Sequence, residues 1–454
     1  MSKHIKLLSI AGSDPSGGAG VQQDLRVFTT LGAYGTAVIA ANTVQNTKGV
    51  VYFEPTPPGF LQRQLETLLE DVGIDGVKTG MLGSAENVRV VASALGNSVP
   101  LVVDPVLSAT RGGALFQGEM EAFTEALFPL ATAVTPNMEE LKTLFPGLSV
   151  VDAARSILSA GAKGVVITGG DSAQGEMVVD LVVTGDGVAE LEHRRIPLPT
   201  PKSHGTGCAF SSLLLVMLVG GLDIVEACRK ALETMEDLLD HSYCPGGGMA
   251  SPDPLVPLER EVAVRHCLDS MVRAISLLES VKGMGMLIPE IQSNLCYALP
   301  CPRGHGDVLG VKGRIVRWGD YARAMGPVLF GASRHVANIV LTANRHDPSM
   351  RSAMALRYHP RWVDTLKEAG YAVASFSRQE EPKEVKEREG STLSWGVDTV
   401  CKGLGHVPRF IYDEGDIGKE PVIRLLGTHP EAVVKGAVEI LDLLKRSGLT
   451  ATPG

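Results

Sequence analysis

The sequence predicts an α/β protein of two domains. The first is a three-layer α/β/α domain over residues 1–243. The second is a separate, smaller α/β domain with a mixed sheet over residues 259–454, and a Pro/Gly-rich linker at 244–258 joins them. Three observations predict this. Apolar, β-branched runs alternate with amphipathic stretches from residue 5 to 240, which indicates a parallel sheet covered on both faces. The stretch His241–Pro257 holds four prolines and Gly246-Gly247-Gly248, so it can neither continue a helix nor fill a central strand. Beyond it the texture changes to mixed strands rich in Arg and His.

The elements follow in order. Ile5–Ala11, Thr36–Ala41, Gly76–Gly80, Pro100–Val106, Ala131–Thr135 and Gly164–Thr168 are short, continuous apolar runs and read as buried strands. Gly59–Val72, Glu119–Leu127 and Ala153–Ala160 read as the helices between them. Met177–Val183 and Val188–Ile196 flank Gly185-Asp186-Gly187 and read as an edge hairpin. Helices at about 206–219 and 223–240 close the domain. A long helix over about Glu259–Ser280 opens the second domain, where Ile339–Thr342 reads as a strand and Arg378–Glu389 as a solvated loop.

Composition narrows the function. The chain has 454 residues, 44% hydrophobic and 20% charged, which excludes a wholly disordered chain. A net charge of -9 argues against a nucleic-acid partner, because counterion release needs clustered Lys and Arg. The longest apolar run, Leu213–Val219, is too short to span a membrane, and the N-terminus does not read as a signal peptide. The seven cysteines are scattered without a CxxC pair, which argues against a zinc site and for a reduced, cytoplasmic protein.

Three motifs suit phosphate chemistry. Ala11-Gly12-Ser13-Asp14-Pro15-Ser16-Gly17-Gly18-Ala19-Gly20 lies between a strand and a helix, where glycines let the backbone approach a ligand. His204-Gly205-Thr206-Gly207-Cys208 opens another helix. Gly205 and Gly207 expose backbone N–H groups that can form an anion hole. Cys208 falls in that helix's first turn, where the dipole is expected to lower the thiol pKa and make it a proton acceptor. Thr135-Pro136-Asn137-Met138-Glu139-Glu140 sits at a strand end. Asn137 and Glu140, one helical turn apart, suit a water-mediated magnesium site, with Asp104 a second candidate; a helix cap is the competing reading of Asn137.

Together these segments resemble the ribokinase-like superfamily, and within it the hydroxymethylpyrimidine/phosphomethylpyrimidine kinases, over about residues 5–240. The matching pieces are AGSDPSGGAG, LGAYGTAVIAANTVQNTKGV, KTGML, VVDPV, TPNMEE, ITGGD and HGTGC. The resemblance implies ATP and magnesium as cofactors and a small aminopyrimidine alcohol and its phosphate as substrates. It places Gly12, Asp24, Gln45 and Met81 at the substrate, and Asn137, Glu140, Thr168 and Gly170 at the nucleotide. Gln45 can donate and accept, which matches an aminopyrimidine edge. Relatives often have Lys where Thr168 stands, so either a nucleotide-facing charge is missing here or Lys202 replaces it.

Residues 262–446 resemble the non-barrel thiamine-phosphate synthase domain, mainly through Asn338–Tyr358, IPEIQSNLCYALP and GRIVRWG. The resemblance implies coupling of the pyrimidine diphosphate to a thiazole phosphate. It assigns Arg314 to phosphate clamping and His335 to the leaving group, with Arg345, Arg351 and Asn338 at the substrate and Asp347 at magnesium. Related domains also serve as sensors, so a kinase with a C-terminal thiamine-phosphate sensor is the alternative. A homodimer is the expected assembly.

Overall fold

The protein is described from a computed structural model, which covers residues 4–449 apart from 97–98, 110–112, 170–174, 383–390 and 417. Contacts divide the chain into two compact units, Met1–Glu259 and Arg260–Gly454.

Alternation within the strands builds the first unit. In β5 (Leu101–Val103), Leu101 and Val103 join one apolar cluster and Val102 joins another. β7 (Gly164–Ile167) repeats this, with Val165 and Ile167 on one side and Val166 on the other. A strand whose two faces are both buried reads as a continuous apolar run. The other strands are β1 (Lys6–Ser13), β2 (Tyr34–Asn46), β3 (Gly49–Pro55), β4 (Gly76–Thr79), β6 (Ala133–Val134), β8 (Met177–Thr184) and β9 (Gly187–Arg194). They form one sheet in the order β3-β2-β1-β4-β5-β6-β7-β8-β9. The middle strands, from β2 to β7, run parallel, while β3, β8 and β9 are antiparallel additions.

Helices cover both faces. α1 (Gly20–Thr30), α6 (Thr206–Val219) and α7 (Ile224–Asp240) pack on one face, while α2 (Pro58–Asp71), α3 (Ala85–Ala94) and α5 (Val150–Ser159) pack on the other. α4 (Met138–Leu144) is a short helix after β6. α6 is apolar nearly all round because α1 and α7 flank it over the sheet.

Two expectations for this unit change. Glu119–Leu127 is not a regular helix. Phe123–Leu127 forms a wide turn that runs into a tight one at Phe128–Leu130, where Pro129 lacks the N–H a continuing helix needs. Residues 244–258 are not a free linker. Met249 N–H donates to Thr47 O and His204 N–H to Ala250 O, both at 2.8 Å, and Met249, Ala250 and Ser251 are buried. The glycines and prolines let this segment run flat against the unit: a Cβ on Gly248 would lie 2.0 Å from Thr47 O.

The second unit is a mixed seven-stranded sheet. Its strands are β10 (Leu295–Ala298), β11 (Val308–Val311), β14 (Val328–Phe330), β15 (Ser352–Arg357), β16 (Val373–Ser375), β17 (Phe410–Asp413) and β18 (Val422–Gly427), in the order β14-β11-β10-β15-β18-β17-β16. A hairpin, β12 (Ile315–Trp318) and β13 (Tyr321–Ala324), stands apart. The Val256–Ser280 and Pro430–Arg446 helices contribute to one apolar cluster; the His335–His346 and Ser391–Leu404 helices contribute to the other. Ile339–Thr342, expected as a strand, therefore lies inside a helix; its apolar residues serve a helical face instead.

Candidate functional site

The first unit holds a cleft of about 440 Å³ at the carboxyl ends of its parallel strands. Gly12 from the end of β1, Gln45 from β2, Met81 beyond β4 and Asp104 beyond β5 all line it. So do Asn137, Glu140, Thr168, Lys202, Gly205, Gly207 and Cys208. Gly170 lies outside the described residues. Of the first-unit residues singled out in the sequence and described, all but Asp24 meet in this one cavity.

The glycine motifs meet because neither carries a side chain at the contact. Gly205 has φ +83°, and a Cβ there would lie 1.8 Å from Gly18 O. Gly20 has φ +59°, and its Cβ would lie 2.2 Å from Gly12 O. Asp14 organises the loop. Its carboxylate accepts from the Ser16, Gly18 and Ala19 N–H groups at 2.9–3.0 Å and from Ser16 Oγ at 2.7 Å. His204 Nε2 lies 2.9 Å from Asp14 Oδ2 and 2.8 Å from Gln45 Nε2 as placed. A carboxylate can only accept, so Nε2 carries a proton; Gln45 then turns its carbonyl oxygen toward His204 and its NH₂ elsewhere. Burial raises the Asp14 pKa, but hydrogen bonds from His204 and Ser16 outweigh it and hold it below the ordinary value.

Beneath the cleft lies a buried charge cluster. Asp24 is fully buried and does not reach the cavity, so its assignment to substrate is corrected. It accepts from Lys78 Nζ at 3.0 Å on both oxygens, from Ser9 Oγ at 2.5 Å and from Ser212 Oγ at 2.8 Å. Lys78 Nζ also lies 3.9 Å from Asp104 Oδ2. Burial opposes the Lys78 charge, but Asp24, Cys208 and Asp104 outweigh that and raise its proton affinity. Burial pushes Asp104 up to about 6 against the pull of Lys78.

Cys208 faces the cleft, but the dipole argument does not hold for its thiol. Loss of solvation pushes the thiol up to about 12, although Lys78 favours the thiolate. Asn137 and Glu140 are tied to each other. The Asn137 side chain accepts from the Glu139 and Glu140 N–H groups, and Glu140 accepts from Asn137 N–H, all at 2.9 Å. This capping box starts α4, so the helix-cap reading of Asn137 is correct, and both side chains still line the cleft. Asp14, His204 and Lys78 lay inside the quoted motifs without an assigned role. Arg194 and Arg195, which also line the cleft, sit at and just past the end of the edge hairpin, and nothing local marks them.

The second unit disperses its expected site. Arg314, at φ +74°, follows the end of β11 where Val311 pairs Val328. His335 follows the end of β14 where Phe330 pairs Leu309, the opposite end of the same strand pair. Arg314 and His335 thus follow opposite ends of a strand pair registered over three positions. Asn338 is engaged with His305 at 2.6 Å, and Arg345 Nη2 donates to Thr342 Oγ1. Asp347 Oδ1 accepts from Ser349 N–H and Oγ and so shapes a turn. Arg351 lines a cleft that the others do not reach.

A parallel sheet with glycine-led helix starts at its carboxyl edge, around one cleft, defines the first unit as a ribokinase-like kinase fold. A pyridoxal kinase from Staphylococcus aureus, solved with AMP-PCP and pyridoxal, overlays 56% of this chain and 95% of its own with a TM-score of 0.51 at 30% identity. The phosphomethylpyrimidine kinase family model matches residues 14–253, and the thiamine-phosphate synthase ThiN model matches residues 270–439. The bifunctional thiamine biosynthesis protein ThiDN of Methanocaldococcus jannaschii is 30% identical over 96% of this chain and 98% of its own. A hydroxymethylpyrimidine/phosphomethylpyrimidine kinase of Haemophilus influenzae is 39% identical over 55% of this chain and 96% of its own. The chain belongs to the phosphomethylpyrimidine kinase family, in the bifunctional form that carries a ThiN-type synthase domain behind the kinase. Among the described residues, no helix is long and apolar enough to cross a membrane.

Proposed function

We propose that this chain is a bifunctional thiamine-biosynthesis enzyme: the first unit phosphorylates 4-amino-5-hydroxymethyl-2-methylpyrimidine and then its monophosphate, and the second couples the diphosphate to a thiazole phosphate. One observation carries the kinase reading: Gln45, Cys208 and the Gly205–Gly207 backbone meet in a single cleft. Gln45 recognises the aminopyrimidine edge, Gly12 allows close approach, and Met81 packs on the ring. The substrate hydroxyl oxygen forms the new bond to the γ-phosphorus of ATP as the bond to the β–γ bridging oxygen breaks, and ADP leaves. The loose transition state spreads charge over the phosphoryl oxygens, so the N–H groups at Gly205 and Gly207 do most of the stabilisation. Cys208 lines the cleft beside these N–H groups and takes the alcohol proton only in its ionised form, which burial opposes and the Lys78 charge favours.

Asp104 and Glu140 are the carboxylates for magnesium. No group of three His, Cys, Asp or Glu suited to a metal occurs among the described residues. Two carboxylates nevertheless fit this ion, which keeps waters and binds largely through substrate phosphates. When bound it neutralises charge on the transferring group. Thr168 and Lys202 line the nucleotide side. In the second unit, Arg314 and His335 act at separate contacts, and Arg314→Ala and His335→Ala variants with normal coupling rates would remove them. A homodimer completes the reading by the base rate of assemblies, and the free cysteines suit a reducing, cytoplasmic compartment.

The test is direct. The purified chain, given the pyrimidine alcohol, thiazole phosphate, ATP and magnesium, produces thiamine monophosphate. Accumulation of the diphosphate alone would leave the second unit as a binding domain.

A further inference from the structure

The second unit carries a cleft of about 750 Å³ that, of the residues expected at its site, only Arg351 lines. Its walls come from distant stretches: His266, Ser270 and Arg273 on the Val256–Ser280 helix, Arg351 before β15, and His429 and Lys435 around the start of the Pro430–Arg446 helix. We propose that this cleft binds a phosphoryl dianion, held by Arg351, His429 and Lys435. The proposal deepens the synthase reading and rests on it for what carries the phosphoryl group, a pyrophosphate or a phosphate monoester.

Arg351 is pinned. Its Nε and Nη2 donate to Ala298 O at 3.0 and 2.8 Å, and its Cζ lies 4.7 Å from the centre of the Tyr297 ring. Nη2 also lies 3.3 Å from Cys267 Sγ, while Nη1 makes no hydrogen bond among the described residues. A planar cation already held in place loses little freedom on meeting an oxyanion. His429 caps its helix by accepting the Ala432 N–H at Nδ1, at 3.2 Å. In the neutral ring the proton then sits on Nε2, which is left to donate. Lys435 is exposed and has no ion pair among the described residues.

Charge balance points the same way. Glu431 shares the wall, but its carboxylate accepts from Ser270 Oγ and from Arg273, whose Nε and Nη2 lie 3.1 and 3.0 Å away, with His429 Nδ1 3.3 Å off. Arg273 and Glu431 cancel. Arg351 and Lys435 remain as two permanent positive charges, which match a dianion. Arg314 and His335 do not line this cleft.

The test uses the full chain with its kinase cleft saturated by AMP-PCP and magnesium. Calorimetric titrations with inorganic pyrophosphate, and separately with thiamine monophosphate, compare the wild type with Lys435→Met and with His429→Gln/Lys435→Met. Both positions are exposed, and matching melting curves verify folding. The expected result is one saturable site per chain, weakened about tenfold by the single change and about a hundredfold by the double, with the kinase rate unchanged. The tighter ligand identifies the source of the phosphoryl group. Equal affinity in wild type and variants, or no saturable site in the wild type, overturns the proposal. If the variants lose binding while the wild type forms no thiamine monophosphate, the cleft stands and the synthase reading falls. If coupling proceeds and the variants keep their KM for both phosphorylated substrates, the synthase reading stands and the cleft falls.

Discussion

Cys208 shows how a single side chain balances burial against charge. Its thiol is pushed up to about 12 by lost solvation, so at neutral pH it holds its proton in the free enzyme. Iodoacetamide at pH 7 should therefore modify Cys208 more slowly than exposed Cys244 or Cys301, as read by peptide mass spectrometry. Replacing the proton acceptor, Cys208→Ser should lower kcat of the kinase by about 10²–10⁴ with little change in melting temperature. Lys78 makes a different prediction. Lys78→Met leaves Asp24 buried and unpaired, which costs about 3–5 kcal/mol in urea denaturation. Adding Asp24→Asn should recover a large part of that loss, because the stranded charge goes with it; a double variant no more stable than the single one would refute the pairing.

At the scale of elements, the start of α6 depends on one backbone contact. Gly205 sits at φ +83° against Gly18 O, so Gly205→Ala forces apart the two glycine loops that face the substrate. Kinase activity should fall by at least about 100-fold, while coupling of supplied pyrimidine diphosphate continues. Parallel assays of the two half-reactions check this. The sequence showed that 204–208 opens a helix, because two glycines precede a long apolar run. It did not show that the partner of Gly205 is Gly18, which is distant along the chain. The same holds for 244–258. Its composition excludes a helix, but whether it hangs free or lies against Thr47 is a question of surface fit, which composition does not carry.

For the whole molecule, the second unit should respond to acid chiefly through its fully buried carboxylate. Asp413 is held below its ordinary pKa: burial opposes ionisation, but Arg424 and Arg378 outweigh it. A carboxyl whose folded pKa is depressed stabilises the fold above its unfolded pKa of about 4 and withdraws that stability as pH falls through the folded value. Calorimetry should show a loss of second-unit stability below about pH 4. Asp413→Asn, which strands the fully buried Arg424, should cost that unit about 3–5 kcal/mol at pH 7 without moving the transition of the first unit. By itself the sequence determined the alternating architecture of the first unit and most of its cleft. Strand periodicity and glycine at helix starts are local properties, and a parallel sheet gathers its loops at one edge whatever the distances along the chain. Only the tertiary structure decided that Asp24 serves Lys78 rather than substrate, that Ile339–Thr342 is helical, and that Arg351 stands with His429 and Lys435 rather than Arg314 and His335. Those partnerships depend on which faces pack together and which charges lose water, and neither is written in the spacing of residues.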